Sequence, residues 1–216
     1  MRTAYPKIEA YMRSCMTDSA HDMEHVYRVL NYALDIARYE KNVDNEVLAA
    51  ACLLHDIGRA EQFADENVDH ALCGSEKAHT WLLAHGYAEK FAGDVRDCIR
   101  THRYRSNDPP ESTEAKILFD ADKLEACGAM GMARTLLYKA QVGYPLYLFD
   151  EAGNVSDGKN DKTQSYFREY KFKLENVYEK FYTRRGAALA EKRRAAARDF
   201  YEALLGEVRE CYGNAQ

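Results

Sequence analysis

The stretch DNEVLAAACLLHDIG, from Asp44 to Gly58, constrains the fold more than any other part of the chain. Ala, Cys and Leu occupy nearly every side of the helix it would form, and such a helix is stable only when other helices surround it. Asp44 supplies a side-chain acceptor for its first turn, and Gly58 a stop. The same otherwise apolar helix ends on His55 and Asp56. A buried carboxylate beside an imidazole is costly unless something neutralises it, and a divalent cation does this well.

The periodicity elsewhere is also helical. Val26, Val29, Leu30, Ala33, Ile36 and Ala37 recur at spacings of three and four, predicting a helix over 21–40 with one buried face. Further helices are predicted over about 70–86, ending at Gly86, and 88–103, ending before the polar loop YRSNDPPES. Another begins at Ser112 or Thr113 and turns Ile117, Leu118, Ala121 and Leu124 inward. Residues 143–162, rich in Gly, Asp and Asn, read as a long loop. Two long helices are predicted after it, about 163–184 and 185–211, the second with Ala190, Ala197, Tyr201, Leu204 and Val208 as its apolar stripe. With no internal repeat and no strand-like alternation, the expectation is an all-α bundle forming a single domain over 1–216.

Composition narrows the partners. The net charge of −5 opposes nonspecific binding to nucleic acid or an anionic membrane, because both need a basic surface. Six cysteines stand singly, several in apolar helical stretches, which suits reduced thiols in a cytoplasmic protein better than a disulfide framework. No secretory apolar segment and no membrane-length apolar run is present in the sequence.

Four hard ligands sit on these otherwise apolar helices: His25, His55, Asp56 and, after the run KILF, Asp122. Imidazole nitrogen and carboxylate oxygen suit Mn²⁺, Fe²⁺, Zn²⁺, Ni²⁺ or Co²⁺ rather than a soft thiolate metal. Such a set leaves positions for water and a phosphate oxygen, and the ion would acidify that water and polarise the phosphoryl group. Spacing alone leaves the question open, since adjacent helical residues point about 100° apart.

The ordered blocks around these residues resemble the HD superfamily of phosphohydrolases. More narrowly, they are similar to the branch with HDxxHxxRV (His21 to Val29), HDIGR (His55 to Arg59) and DADKLExxGAxGxAR (Asp120 to Arg134). The likeness covers about 18–136, the expected HD core, and the helices over about 163–211 look like that branch's extension. The resemblance implies an HD-domain helical bundle with His25, His55, Asp56 and Asp122 as metal ligands. Asp120 competes with Asp122; residues two apart on a helix face nearly opposite ways, so only one should point at the ion, and the family pattern favours Asp122. The implied cofactor is one divalent ion, Mn²⁺ or Fe²⁺ ahead of Ni²⁺, Co²⁺, Zn²⁺ or Mg²⁺, with a second ion left open. His70, in a block similar to the HxxxG of binuclear relatives, and His102 would either hold that second ion or contact substrate phosphate. The latter is favoured.

Other HD enzymes place a Glu where HDIGR has Arg59; a guanidinium there suits a phosphate oxygen and cannot act as a base. Gly143-Tyr144-Pro145 follows Asp122, whereas the GYP signature of cyclic-dinucleotide phosphodiesterases precedes the distal Asp; it is read as coincidence. The expected enzyme is a metal-dependent phosphohydrolase acting on a small nucleotide, with pyrophosphohydrolysis of a nucleoside triphosphate favoured. Asp56, Arg59, His70 and His102 are its expected catalytic groups, and Arg28, Arg59, His70, His102 and Lys123 its substrate contacts. A cyclic or linear dinucleotide phosphodiesterase and a noncatalytic nucleotide or metal sensor are the alternatives. His21 is a candidate for supporting a ligand through a hydrogen bond. His79 and His85 are read as surface, and Tyr144 or Tyr147 as a base-stacking candidate.

Overall fold

The structure is a computed structural model that describes residues 5–16, 23–103 and 108–213. His21 lies outside the described residues. Those residues form ten α-helices and one 3₁₀-helix, with a single isolated antiparallel bridge between Phe149 and Val155 and no strand. None of these helices is long and apolar enough to cross a membrane. The chain divides into two compact units, one of residues 1–122 with 182–186, the other of 123–181 with 187–216.

The first unit holds α1 (Pro6–Cys15), α2 (Met23–Ala37), α3 (Asn45–Leu54), α4 (Arg59–Ala64), α5 (His70–Ala84), α6 (Glu89–Arg100) and nearly all of α7 (Thr113–Leu124). Helix α3 is its centre: every residue from Val47 to Leu54 is buried, and α1, α2, α5 and α6 pack on it. Asp44 caps it, accepting from the backbone N–H groups of Glu46 and Val47, and its own N–H is held by Glu114. Truncating Leu53 or Leu54 in so enclosed a helix should cost about 2–5 kcal/mol.

The first unit differs from the sequence expectation in two ways. Helix α3 closes at Leu54 rather than running to Gly58; residues 55–58 continue as tighter turns in which Ile57 bonds back to Leu54 and Arg59 to Asp56. Helices α1 and α4 were not anticipated; both are short, and α4 buries no residue that a periodic pattern would reveal.

The second unit holds α8 (Gly128–Gln141), the loop carrying the lone bridge, α9 (Tyr166–Phe172), the 3₁₀-helix (Leu174–Glu179) and most of α10 (Arg184–Cys211). The long helix expected over 163–184 is thus replaced by two short pieces. Tyr166, Phe167, Tyr170, Leu174, Val177 and Tyr178 are all buried, yet the backbone changes at Lys173 (φ −124°, ψ −58°). Spacings of three and four are satisfied by α and 3₁₀ geometry alike, so the pattern named the buried face but not the helix type. Gly143, at φ +75°, ends α8 in a left-handed turn, with Tyr144 N–H bonded back to Lys139; the Gly-Tyr-Pro tripeptide is a helix stop.

Candidate metal centre and active site

The polar cluster is assembled inside the first unit by five segments. Helix α2 brings His25, the turns after α3 bring His55 and Asp56, α5 opens on His70, the end of α6 leads to His102, and α7 carries Asp122. His25, His55, Asp56, His70 and His102 are buried, and the Asp122 side chain is 25% exposed. The close packing of the HDIG turn on α5 depends on glycine. A Cβ on Gly58 would lie 2.3 Å from the His70 carbonyl oxygen and 2.7 Å from the Gly74 nitrogen. Lys77 clamps the same turn by donating to the Ile57 carbonyl and to Glu61.

Donor atoms fall into two triads, His25–His55–Asp122 and Asp56–His70–His102, each with its ligand atoms within 4.8 Å of one another. In the first, His25 Nε2 lies 3.3 Å from His55 Nε2 and 3.3 Å from Asp122 Oδ1. Asp56 joins the two: its Oδ2 stands 3.5 Å from His25 Nε2 and 3.6 Å from His55 Nε2, its Oδ1 3.5 Å from His70 Nε2 and 3.7 Å from His102 Nε2. Adjacent donors around an ion bound at about 2.1 Å lie about 3 Å apart, and opposite ones about 4 Å. The first triad with Asp56 Oδ2 falls in that range.

The protonation pattern points the same way. His55 Nδ1 is 2.8 Å from the Cys52 carbonyl oxygen and His102 Nδ1 2.6 Å from that of Ile99. A carbonyl can only accept, so each ring holds its proton at Nδ1 and presents a lone pair at Nε2. His70 Nε2, His102 Nε2 and Asp56 Oδ2 are buried without a hydrogen-bond partner. Burial of the Asp56 carboxyl works to raise its pKa, but Arg59, His55, His25 and His70 outweigh it and hold the group well below the usual carboxylate range. Burial likewise opposes ionisation of Asp122, and His25, His55 and His102 override it. Burial lowers His70, aided by Arg59, and burial with His55 takes His102 down to about 4. Carboxylates held charged beside His70 and His102, whose rings burial keeps neutral, make a donor set suited to a hard or borderline dication. The residues present fit the group.

The remaining expected residues divide. Arg59 Nε donates to Asp56 Oδ1 at 2.9 Å, so the guanidinium is first a partner of Asp56. Arg28 lies one turn along α2 from His25. Lys123 is directed elsewhere: its amine donates to the Lys180 carbonyl and covers the Phe181 ring, within the second unit. Asp120, two residues before Asp122, accepts from Tyr182 N–H and from both Thr183 N–H and Thr183 Oγ1, and so tethers the segment that leads into α10. As neutral acceptors, His70 and His102 are ill suited to the sequence expectation that they neutralise phosphate oxygens, since that requires an N–H at Nε2. Tyr147 pairs with Tyr212 through their hydroxyls, and Lys139 covers Tyr144, so both rings have partners within the second unit. His79 bonds Glu89 and His85 stacks on Trp81. Sequence reasoning missed Lys77 and Gln62; the latter lies one turn beyond Arg59 on α4, and that spacing was its only signal.

A family profile described as HD domain matches residues 22–127, spanning every member of the cluster. The chain belongs to the HD superfamily of metal-dependent phosphohydrolases. It is a metal-dependent hydrolase with a cluster able to hold a divalent ion. An uncharacterised Bacillus subtilis protein, YpgQ, is 30% identical over 148 residues, 65% of this chain and 69% of YpgQ. A structure from an uncultured Thermotogales bacterium, described as a predicted HD superfamily hydrolase, is 30% identical with a TM-score of 0.63, over 94% of this chain and 91% of that one. The structure of YpgQ in complex with ADP superposes with a TM-score of 0.70 at 24% identity, covering 92% of this chain and 94% of that one.

Proposed function

We propose that this protein is a phosphohydrolase of small nucleotides, cleaving a phosphoanhydride bond of a nucleoside triphosphate with release of pyrophosphate. The observation that carries the reading is the division of labour on Asp56, whose Oδ2 faces His25 and His55 while its Oδ1 is held by Arg59 beside His70 and His102. His25, His55, Asp56 and Asp122 would hold the ion, with Mn²⁺ or Fe²⁺ our choice for these nitrogen and oxygen donors. A divalent ion there supplies Lewis acidity toward a phosphoryl oxygen and acidifies a water. Arg59 keeps Asp56 ionised and uses its remaining N–H groups on a phosphate oxygen. His70 and His102 offer Nε2 lone pairs that accept hydrogen bonds from a water and so orient it toward phosphorus. The ADP bound by YpgQ supports a nucleotide as the substrate class. The six unpaired cysteines support a cytoplasmic location.

A second ion on Asp56 Oδ1, His70 and His102 is the competing reading, favoured by the second donor triad. Arg59 argues against it, because its guanidinium already places a positive charge 2.9 Å from that oxygen. Elemental analysis separates them: one equivalent of metal supports our reading, and two support the dinucleotide-phosphodiesterase alternative. Protein loaded with Mn²⁺, Ni²⁺ or Co²⁺ should release pyrophosphate or phosphate from a nucleotide panel, and Asp56→Ala should abolish it. Tight nucleotide binding without turnover, under all three metals, would replace the hydrolase with a sensor.

A further inference from the structure

The side chain next to the cluster whose placement is most fully determined is that of Gln62 on α4. Its Oε1 lies 3.2 Å from Arg59 Nη1 and 2.8 Å from His70 Nδ1, and its Nε2 donates to the Val68 carbonyl at 3.3 Å. A glutamine amide can be turned end for end, which would reverse what it asks of an imidazole. Here both ends are fixed. A guanidinium only donates, so the end facing Arg59 is the carbonyl oxygen; a backbone carbonyl only accepts, so the end facing Val68 is the NH₂. The same oxygen then faces His70 Nδ1, which must carry the proton. His70 Nε2 is left as a lone pair, buried, without a partner and 3.5 Å from Asp56 Oδ1.

We propose that Gln62 is a positioning residue that locks the tautomer of His70 and the attitude of Arg59 through one shared oxygen. His55 and His102 obtain the same lock from backbone carbonyls of their own helices, through Cys52 and Ile99. His70 is the first residue of α5, so no carbonyl one turn earlier in its own helix is available to its ring. A side chain from another helix does the work instead. The arrangement couples the two groups on Asp56 Oδ1: loss of the Gln62 oxygen releases the ring and slackens the guanidinium together.

The proposal rests on the reading of Asp56 and His70 as part of the reactive centre, and its test is read first without metal. Long-range ¹H–¹⁵N spectra of the metal-free protein should show His70 with its proton at Nδ1. Gln62→Glu retains an acceptor for both partners and should keep that tautomer. Gln62→Met is close in shape but a poor acceptor, and both His70 tautomers should appear, while His102 stays unchanged. With metal restored, Gln62→Met should lose about 10–100-fold in kcat/KM, the usual range for a hydrogen bond that supports a site, and Gln62→Glu should recover most of it. A single Nδ1–H tautomer for His70 in folded Gln62→Met, or mixed tautomers in Gln62→Glu, overturns the proposal whatever the activity. A tautomer change in Gln62→Met with activity equal to wild type leaves the lock standing and rejects the placement of His70 in the reactive centre.

Discussion

Two buried polar clusters, one in each unit, handle charge differently. In the second unit the buried Lys139 amine lies 3.0 Å from Glu169 and 3.3 Å from the side-chain Oε1 of Gln164, so a cation and an anion meet with a hydrogen bond to spare. In the first, lone pairs face lone pairs: His70 Nε2, His102 Nε2 and Asp56 Oδ2 end in the interior without a donor. A site that only stabilises a fold pairs its polar groups, because an unsatisfied buried one costs about 1–3 kcal/mol. A site that binds must keep acceptors exposed to one another until something positive is inserted. The contrast marks the Lys139–Glu169 pair as structural and the His/Asp cluster as functional.

The largest test of that contrast is metal addition. If the cluster is built for an ion, metal at about 1,000 times its Kd should stabilise the metal-free protein by about 4.1 kcal/mol, seen as a rise in Tm. Asp56→Ala should lose both that rise and turnover. A metal-independent Tm for wild type would erase the distinction between the two regions. Next in size, Lys139→Met leaves Glu169 partly buried with Lys173 as its remaining partner at 3.6 Å. A cost of about 3 kcal/mol is expected from chemical denaturation, the low end for breaking such a pair, with metal affinity unchanged.

A pH series sharpens the same point. Burial works to raise the Glu169 pKa, but Lys173 and Lys139 outweigh it, so its folded value lies below 4.5. A depressed carboxylate contributes stability that is present above the unfolded pKa and lost as pH falls through the folded one. Wild type should therefore lose stability below about pH 4.5 more steeply than Lys139→Met, in denaturant melts read across that window. The smallest effect belongs to the cap of α3: Asp44→Ala should cost about 1 kcal/mol, with metal affinity within about threefold of wild type by isothermal titration. A larger loss of affinity would mean that the end of α3, rather than the convergence of five segments, holds His55 and Asp56 in place.

Much of this was legible beforehand, for reasons that can be named. Ile117, Leu118, Ala121 and Leu124 are all fully buried, because a spacing of three and four on a chain this rich in helix formers leaves one face to hide. Pattern was weaker at 163–184, where the apolar residues are buried as expected but helix geometry changes at Lys173. Gln62 was invisible for another reason. Nothing in HDIGRAEQ indicates that its oxygen will meet a histidine eight positions later, since that meeting depends on how closely Gly58 lets α5 approach.

Local order along the chain was thus enough to determine an all-helical bundle, a central helix with no face for water, and a short list of imidazoles and carboxylates stranded on apolar segments. Tertiary structure decided which oxygen of Asp56 meets which ring, that Asp120 tethers residues 182–183 while Asp122 joins His25, and that Lys123 is engaged by Lys180 and Phe181. Burial follows from periodicity, which is written in neighbouring residues. Partnership depends on where distant helices come to rest, and that is a property of packing.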